Sequence, residues 1–262
     1  MKNLKEKYGD WALITGASAG IGMAFAEYLA EKGMNMILVA RRKERLHSLA
    51  KNLENKYNVQ IIAAAVDLTK ENFLDELKPY TENRNIGLLI NNAGYGSASR
   101  FAEGDLDWYT DMIRLNCIAP VMLTHFIVQS MIKQQKGAII FIGSVAGYYG
   151  SPFFSTYAAT KAFNIQFGQS LWYELKKSNI DVLVVSPGST ETEFHDVAGF
   201  SRALIVMSPE KVVRKAMRAL GRRIEIVTGL ENKLLVFFSR LFPGKMILRI
   251  KGYAIKFMIN NK

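Results

Sequence analysis

The chain holds a single cysteine, Cys117, in 262 residues. One thiol makes no internal bridge, which excludes the disulfide-stapled secreted scaffolds and permits a reducing compartment. No histidine lies near it in sequence, so Cys117 reads as a small core residue rather than a nucleophile. Histidine is nearly as scarce: His47, His125 and His195 share no metal-ligand spacing, and no metal is expected. Residues 1–7, MKNLKEK, lack the apolar core of a signal peptide, which makes a cytoplasmic location the default expectation. No internal repeat or low-complexity linker is present, so residues 1–262 read as one domain, within the size range of undivided α/β folds. Acidic residues are missing from one region. Residues 1–210 carry 21 Lys+Arg and 21 Asp+Glu, whereas residues 211–262 carry 13 Lys+Arg with only Glu225 and Glu231. The whole net charge of +11 therefore sits at the C-terminal end.

What is present is an ordinary globular composition, with 49% hydrophobic and 22% charged residues, and this excludes a disordered chain. Short apolar runs at 11–15, 34–40, 61–66, 87–91, 138–143, 181–186 and 224–228 read as strands. Helical patterns separate them near 21–31, 43–57, 71–82, 106–133, 156–177 and 209–220. Most of the strand runs are apolar throughout, as strands covered on both faces must be. The expected fold is α/β, a Rossmann-type doubly wound sheet of seven parallel strands flanked by helices.

The first strand runs into TGASAGIG, with Gly16, Gly20 and Gly22 where strand must turn into helix. Such a turn lets backbone N–H groups approach a pyrophosphate at a helix N-terminus, with Ser18 and Ile21 beside it; a plain glycine-rich turn is the other reading. Where an NAD enzyme presents an acid after its second strand, this chain has Arg41 and Arg42. Arg41 can meet a 2′-phosphate with its planar fork while Arg42 adds charge, which favours NADP(H) over NAD(H). Asp67, followed by Leu68, either accepts from the adenine amino group or caps the next helix. Asn92, Ala93 and Gly94 either let the backbone pass close to a ribose or form a turn held by asparagine side chains.

Ser144 follows the fifth strand, and Tyr157 and Lys161 come next at helical i, i+4 spacing. An ammonium beside a phenol favours the phenolate and makes proton exchange possible. The TGxxxGxG turn, the NNAG segment, Asn116, Ser144, the YxxxK pair and Pro187-Gly188 stand in the order that resembles the short-chain dehydrogenase/reductase family, over roughly residues 10–230. The resemblance implies Tyr157 as general acid/base and Lys161 as the residue that lowers its pKa and binds the nicotinamide ribose. It further implies that Ser144 holds the substrate oxygen, that Asn116 supports a proton path to the lysine, and that Pro187, Gly188 and Thr192 lie under the nicotinamide carboxamide. The chain departs from NADP-preferring members at Ala19, where a basic residue is frequent, so the phosphate reading rests on Arg41 with Ser18 as a second donor.

Residues 189–210 correspond to the family's substrate lid, and Phe194, Phe200, Leu204, Ile205, Val206 and Met207 make it apolar, which suits either a hydrophobic substrate or simple packing against the core. Residues 233–262 form a basic apolar extension with no run of about 20 apolar residues, the length that spans a bilayer. Its cations stand between Leu, Ile, Phe and Met, a pattern suited to an anionic membrane surface or an anionic apolar ligand rather than nucleic acid; packing within the protein is the alternative. The expected activity is NADP(H)-dependent interconversion of carbonyl and alcohol on an apolar, lipid-like substrate such as an acyl chain or steroid. A homo-oligomer, dimer or tetramer, is implied by the family. The rival is a catalytically idle NADP-binding module attached through its basic extension.

Overall fold

The computed structural model describes residues 4–194, 198 and 206–260. Seven strands, β1 (Trp11–Thr15), β2 (Asn35–Val39), β3 (Ile61–Ala64), β4 (Ile86–Asn91), β5 (Gly137–Ile142), β6 (Ile180–Ser186) and β7 (Glu225–Val227), form one sheet. Their order is β3-β2-β1-β4-β5-β6-β7, and every pair is parallel. The chain winds outwards from β1 to β3, then crosses back to β4 and winds the other way. Between the C-terminal ends of β1 and β4 the connections diverge and leave a crevice, the place where such sheets bind ligands.

Side chains alternate across the sheet, so Ile14, Leu38 and Ile90 enter one apolar layer with Phe25, Leu29 and Val212. Leu13, Ile37 and Leu89 enter the opposite layer with Leu123, Met131 and Phe141. Every residue of β4 and β5 is buried, which accounts for their apolar sequences up to Asn91, whose amide donates to the Thr124 hydroxyl. The first eight helices are α1 (Leu4–Tyr8), α2 (Gly20–Glu31), α3 (Lys43–Lys56), α4 (Phe73–Thr81), α5 (Leu106–Ile113), α6 (Ala119–Gln134), α7 (Ser155–Leu175) and α8 (Pro209–Ala219).

Two elements depart most from the expected boundaries. β3 stops at Ala64 because Val66 N–H turns back to the Ala64 carbonyl at 3.0 Å. The helix expected over 106–133 is divided by a wide π turn, Arg114–Ile118, closed by Ala119 N–H bonding to the Arg114 carbonyl. Asp105 caps the start of this segment by accepting from the Asp107 N–H at 2.8 Å. Although Leu106–Gln134 has the length and hydropathy of a membrane-spanning helix, it packs Leu123, Ile127 and Met131 against the sheet.

The C-terminal extension folds as α9 (Leu230–Leu241) and α10 (Gly244–Asn260). Its faces differ: Val236 is buried and Ile255 joins a cluster with Tyr109, Met112, Phe154 and Tyr157, while Leu230, Leu234, Phe237 and Leu241 are exposed. Of the expected lid, Phe200, Leu204 and Ile205 lie outside the described residues, as does His195.

Candidate active site

Gly16 and Gly20 adopt φ of +64° and +55°, the left-handed region that side chains avoid. A Cβ on Gly22 would overlap the Gly16 carbonyl oxygen, and one on Gly16 would come within 2.9 Å of Ala93 Cα. The turn therefore packs backbone against backbone. No side chain caps α2, so the amides of its first turn are free to meet an anion. These observations fit a dinucleotide pyrophosphate. Thr15 Oγ1 ties the two turns together, accepting from the Asn92 and Ala93 N–H groups at 3.0 Å each, while Asn92 Nδ2 donates to the Thr15 carbonyl at 2.8 Å. Asn92 braces the turn, and Asn92, Ala93 and Gly94 line the cleft.

Arg41, Arg42, Ser18, Asp67 and Leu68 line the same cleft. Ser18 is engaged by Arg42 rather than Arg41: Nε and Nη2 donate to its hydroxyl at 3.2 and 3.1 Å. Arg42 also donates to Glu193 at 2.6 Å, and Arg45 bonds the other oxygen of the same carboxylate. These bonds hold the Glu193 carboxyl below its ordinary range. Sequence reasoning missed Glu193; its only signal was an acid inside the expected lid. Asp67 accepts from the Thr69 N–H and hydroxyl, and α4 begins only at Phe73, so Asp67 shapes a local turn and caps no helix.

At the other end of the cleft, β5 delivers Ser144, and α7 presents Tyr157 and Lys161 from one face. All three side chains are buried. Lys161 Nζ donates to the Ile142 carbonyl at 2.8 Å and lies 5.8 Å from the centre of the Tyr157 ring. Burial pulls Lys161 down to about 8. Burial also pushes Tyr157 up to about 12, opposed by a hydrogen bond with Ser144. Lys161 thus shares a helix face with Tyr157, with its ammonium bonded to the Ile142 carbonyl.

Asn116 occupies the wide turn and is fully buried. Its Nδ2 donates to the Tyr95 carbonyl and the Thr160 hydroxyl, both at 3.0 Å, and its Oδ1 accepts from the Tyr95 N–H at 3.2 Å. Its carbonyl, released from regular helix bonding, accepts from Asn164 Nδ2 at 2.9 Å. Asn116 therefore clamps the loop segment beyond Gly94 to the helix that carries Tyr157 and Lys161. Pro187, Gly188 and Thr192 complete this side of the cleft. A Cβ on Gly20 would lie 2.8 Å from Thr192 Cγ2, so Thr192 faces the glycine turn.

The short chain dehydrogenase family model matches residues 10–199. This chain belongs to that family. It is an oxidoreductase acting on alcohol and ketone groups, and its family uses nicotinamide dinucleotides. A 7beta-hydroxysteroid dehydrogenase of Mediterraneibacter gnavus is 31% identical over 236 residues, covering 88% of this chain and 90% of that one. The very-long-chain 3-oxoacyl-CoA reductase of Bos taurus is 34% identical over 250 residues, covering 94% and 80%. A short-chain dehydrogenase from Sphingobium yanoikuyae, solved in complex with NADPH, superposes with a TM-score of 0.78 at 37% identity, covering 83% of this chain and 86% of that one.

The remaining wall of the dehydrogenase cleft is aromatic. Phe194 lies 5.1 Å and Phe154 6.1 Å from Tyr157, ring centre to ring centre, and Tyr95 packs on Trp108 at 4.7 Å. Tyr149, Lys251 and Ile255 close it, the last two from α10. The cavity measures about 550 Å³. Tyr95, Trp108, Tyr149, Lys251 and Ile255 carried no sequence motif. The one trace was the i, i+4 spacing of Lys251 and Ile255, which puts them on one helix face. Cys117, half-buried and pushed up to about 11 by burial, is no thiolate at neutral pH.

Proposed function

We propose that this dehydrogenase reduces a carbonyl on an apolar, lipid-like substrate with NADP(H). The observation that carries the reading is the buried tyrosine Tyr157 beside Ser144 and Lys161, at the junction of a glycine-lined groove and an aromatic pocket. Gly16, Ser18, Gly20, Ile21 and Gly22 would hold the pyrophosphate; Arg41 and Arg42, the 2′-phosphate; Asp67 and Leu68, the adenine. Asn92, Ala93, Gly94, Tyr157 and Lys161 would hold the ribose, and Pro187, Gly188 and Thr192 the carboxamide. When bound, the dinucleotide supplies hydride. Ser144 holds the substrate oxygen, and Tyr157 gives that oxygen its proton as negative charge develops there. Lys161 keeps a cation close by, and Asn116 fixes the spacing between the two cleft walls.

The relatives named as 7beta-hydroxysteroid dehydrogenase and very-long-chain 3-oxoacyl-CoA reductase support a bulky apolar substrate. The pocket of Trp108, Phe154, Phe194 and Ile255 suits one. An idle binding module has no use for a Ser144, Tyr157 and Lys161 set buried together. Purified protein mixed with NADPH and a panel of steroidal and long-chain ketones should consume the nicotinamide absorbance. Tight NADPH binding without turnover of any ketone would leave only the binding-module reading.

Two surfaces extend this reading. Exposed Trp108, Ile113, Ile118, Val121 and Phe163 on α5, the wide turn, α6 and α7 suit a second copy of the chain. The outer face of α9 and α10 combines exposed Leu234, Phe237, Leu241 and Ile250 with Lys233, Lys245 and Arg249. We assign that face to an anionic membrane surface: two such basic faces repel each other, whereas anionic headgroups complement them.

A further inference from the structure

Helix α10 carries four cations, Lys245, Arg249, Lys251 and Lys256, and Lys251 alone is turned inward. The turning is built into the packing of this helix. Leu248, Lys251, Gly252 and Ile255 form one face and lie on the segment after Ser144. Gly150 fits beneath Leu248, where a Cβ would come within 2.9 Å of its Cδ2, and Gly252 faces Pro152. Ile255 reaches the cluster of Phe154 and Tyr157. Lys251 Nζ is thereby seated 3.0 Å from the centre of the Tyr149 ring, in the wall of the substrate pocket.

No carboxylate pairs with Lys251 among the described residues. The two acids that line the cleft, Asp67 and Glu193, stand at its dinucleotide end and are engaged by Thr69 and by Arg42 and Arg45. Lys251 has the Tyr149 ring face beneath it, and Ser151, Phe154, Tyr157 and Ile255, which line the same pocket, bring no negative charge. A half-desolvated ammonium on an aromatic face is incompletely compensated, and burial pulls Lys251 down to about 7. An anion entering the pocket would complete the pair.

We propose that Lys251 is a specificity-determining residue that binds a carboxylate on the substrate, so that the preferred substrate is an apolar ketone bearing an acid group away from its carbonyl. The inference rests on the reductase reading above and adds a charge to its substrate class. Lys251 positions the substrate and takes no part in hydride or proton transfer.

The test compares an oxo-steroid acid with its methyl ester, and an oxo-fatty acid with its methyl ester, each with NADPH and the full-length protein. Wild type should favour each acid over its ester in kcat/KM, through KM. Lys251→Met should lower kcat/KM for the acids by roughly 10- to 100-fold more than for the esters, the worth of a charge-assisted hydrogen bond. Lys251→Arg should restore part of the preference. Equal loss for acid and ester in Lys251→Met would make Lys251 a packing residue, and equal use of acid and ester by wild type would remove the carboxylate site; either overturns the proposal. Turnover of neither acid nor ester by wild type would instead count against the reductase reading itself.

Discussion

The two walls of the cleft are made by different means. The dinucleotide wall is backbone: three glycines, the Asn92-Ala93-Gly94 turn and the start of α2, locked by Thr15 and by contacts that leave no room for a Cβ. The substrate wall is side chain: Trp108, Tyr149, Phe154, Phe194, Lys251 and Ile255, contributed by segments spread over about 150 residues of sequence. A wall made of backbone recognises what all members of a family share. A wall made of distant side chains varies freely, and there one member becomes specific.

Mutation should separate the walls and the chemistry between them. Tyr157→Phe removes only the proton donor, so kcat should fall by about 10² to 10⁴-fold while NADPH affinity persists. Turnover at the wild-type rate would take Tyr157 out of the reaction. Arg41→Asp, on the dinucleotide wall, should weaken NADPH by roughly 10- to 100-fold, spare NADH, and leave the ranking of ketones untouched. If NADPH binds the variant as tightly as wild type, Ser18 and Arg42 carry the phosphate without Arg41. The smallest effect belongs to the outer surface. Phe237 is 58% exposed and lines no part of the cleft. In Phe237→Ser, co-sedimentation with anionic vesicles should drop about tenfold, with turnover of a soluble ketone unchanged. Undiminished co-sedimentation would assign the α9 face to another partner. Deleting residues 233–262 would be a poorer experiment, because α10 also closes the substrate pocket.

The difference between the walls also decides what was legible in the sequence. Alternating apolar runs and helical patterns specify the seven-stranded sheet, because buried parallel strands must be apolar throughout and crossover helices must separate them. The glycine turn, Ser144, Tyr157 and Lys161 are legible because chemistry dictates their type and local geometry dictates their spacing. Arg42 bonding Ser18 and Glu193 was not, since which of two adjacent arginines turns towards a serine 24 positions away is settled by tertiary packing. An i, i+4 spacing brings Lys161 near the ring, but only the fold shows its ammonium committed to the Ile142 carbonyl. In the C-terminal extension, membrane docking and internal packing stood as alternatives. Amphipathic α10 packs one face against the pocket and leaves the other exposed to solvent.

The wide turn at Arg114–Ile118 has a further consequence. Such a turn is how a helix absorbs one surplus residue without dephasing the coils beyond it. Leu123, Ile127 and Met131 keep their seats on the sheet, so the surplus is confined locally and the gain is a carbonyl and a carboxamide free to point elsewhere. Excising a single residue there would let the coil rewind smoothly: the globule would survive, yet the brace between Tyr95 and Thr160 would vanish. Chain length over these five positions is thus a functional parameter in its own right, independent of which amino acids fill them.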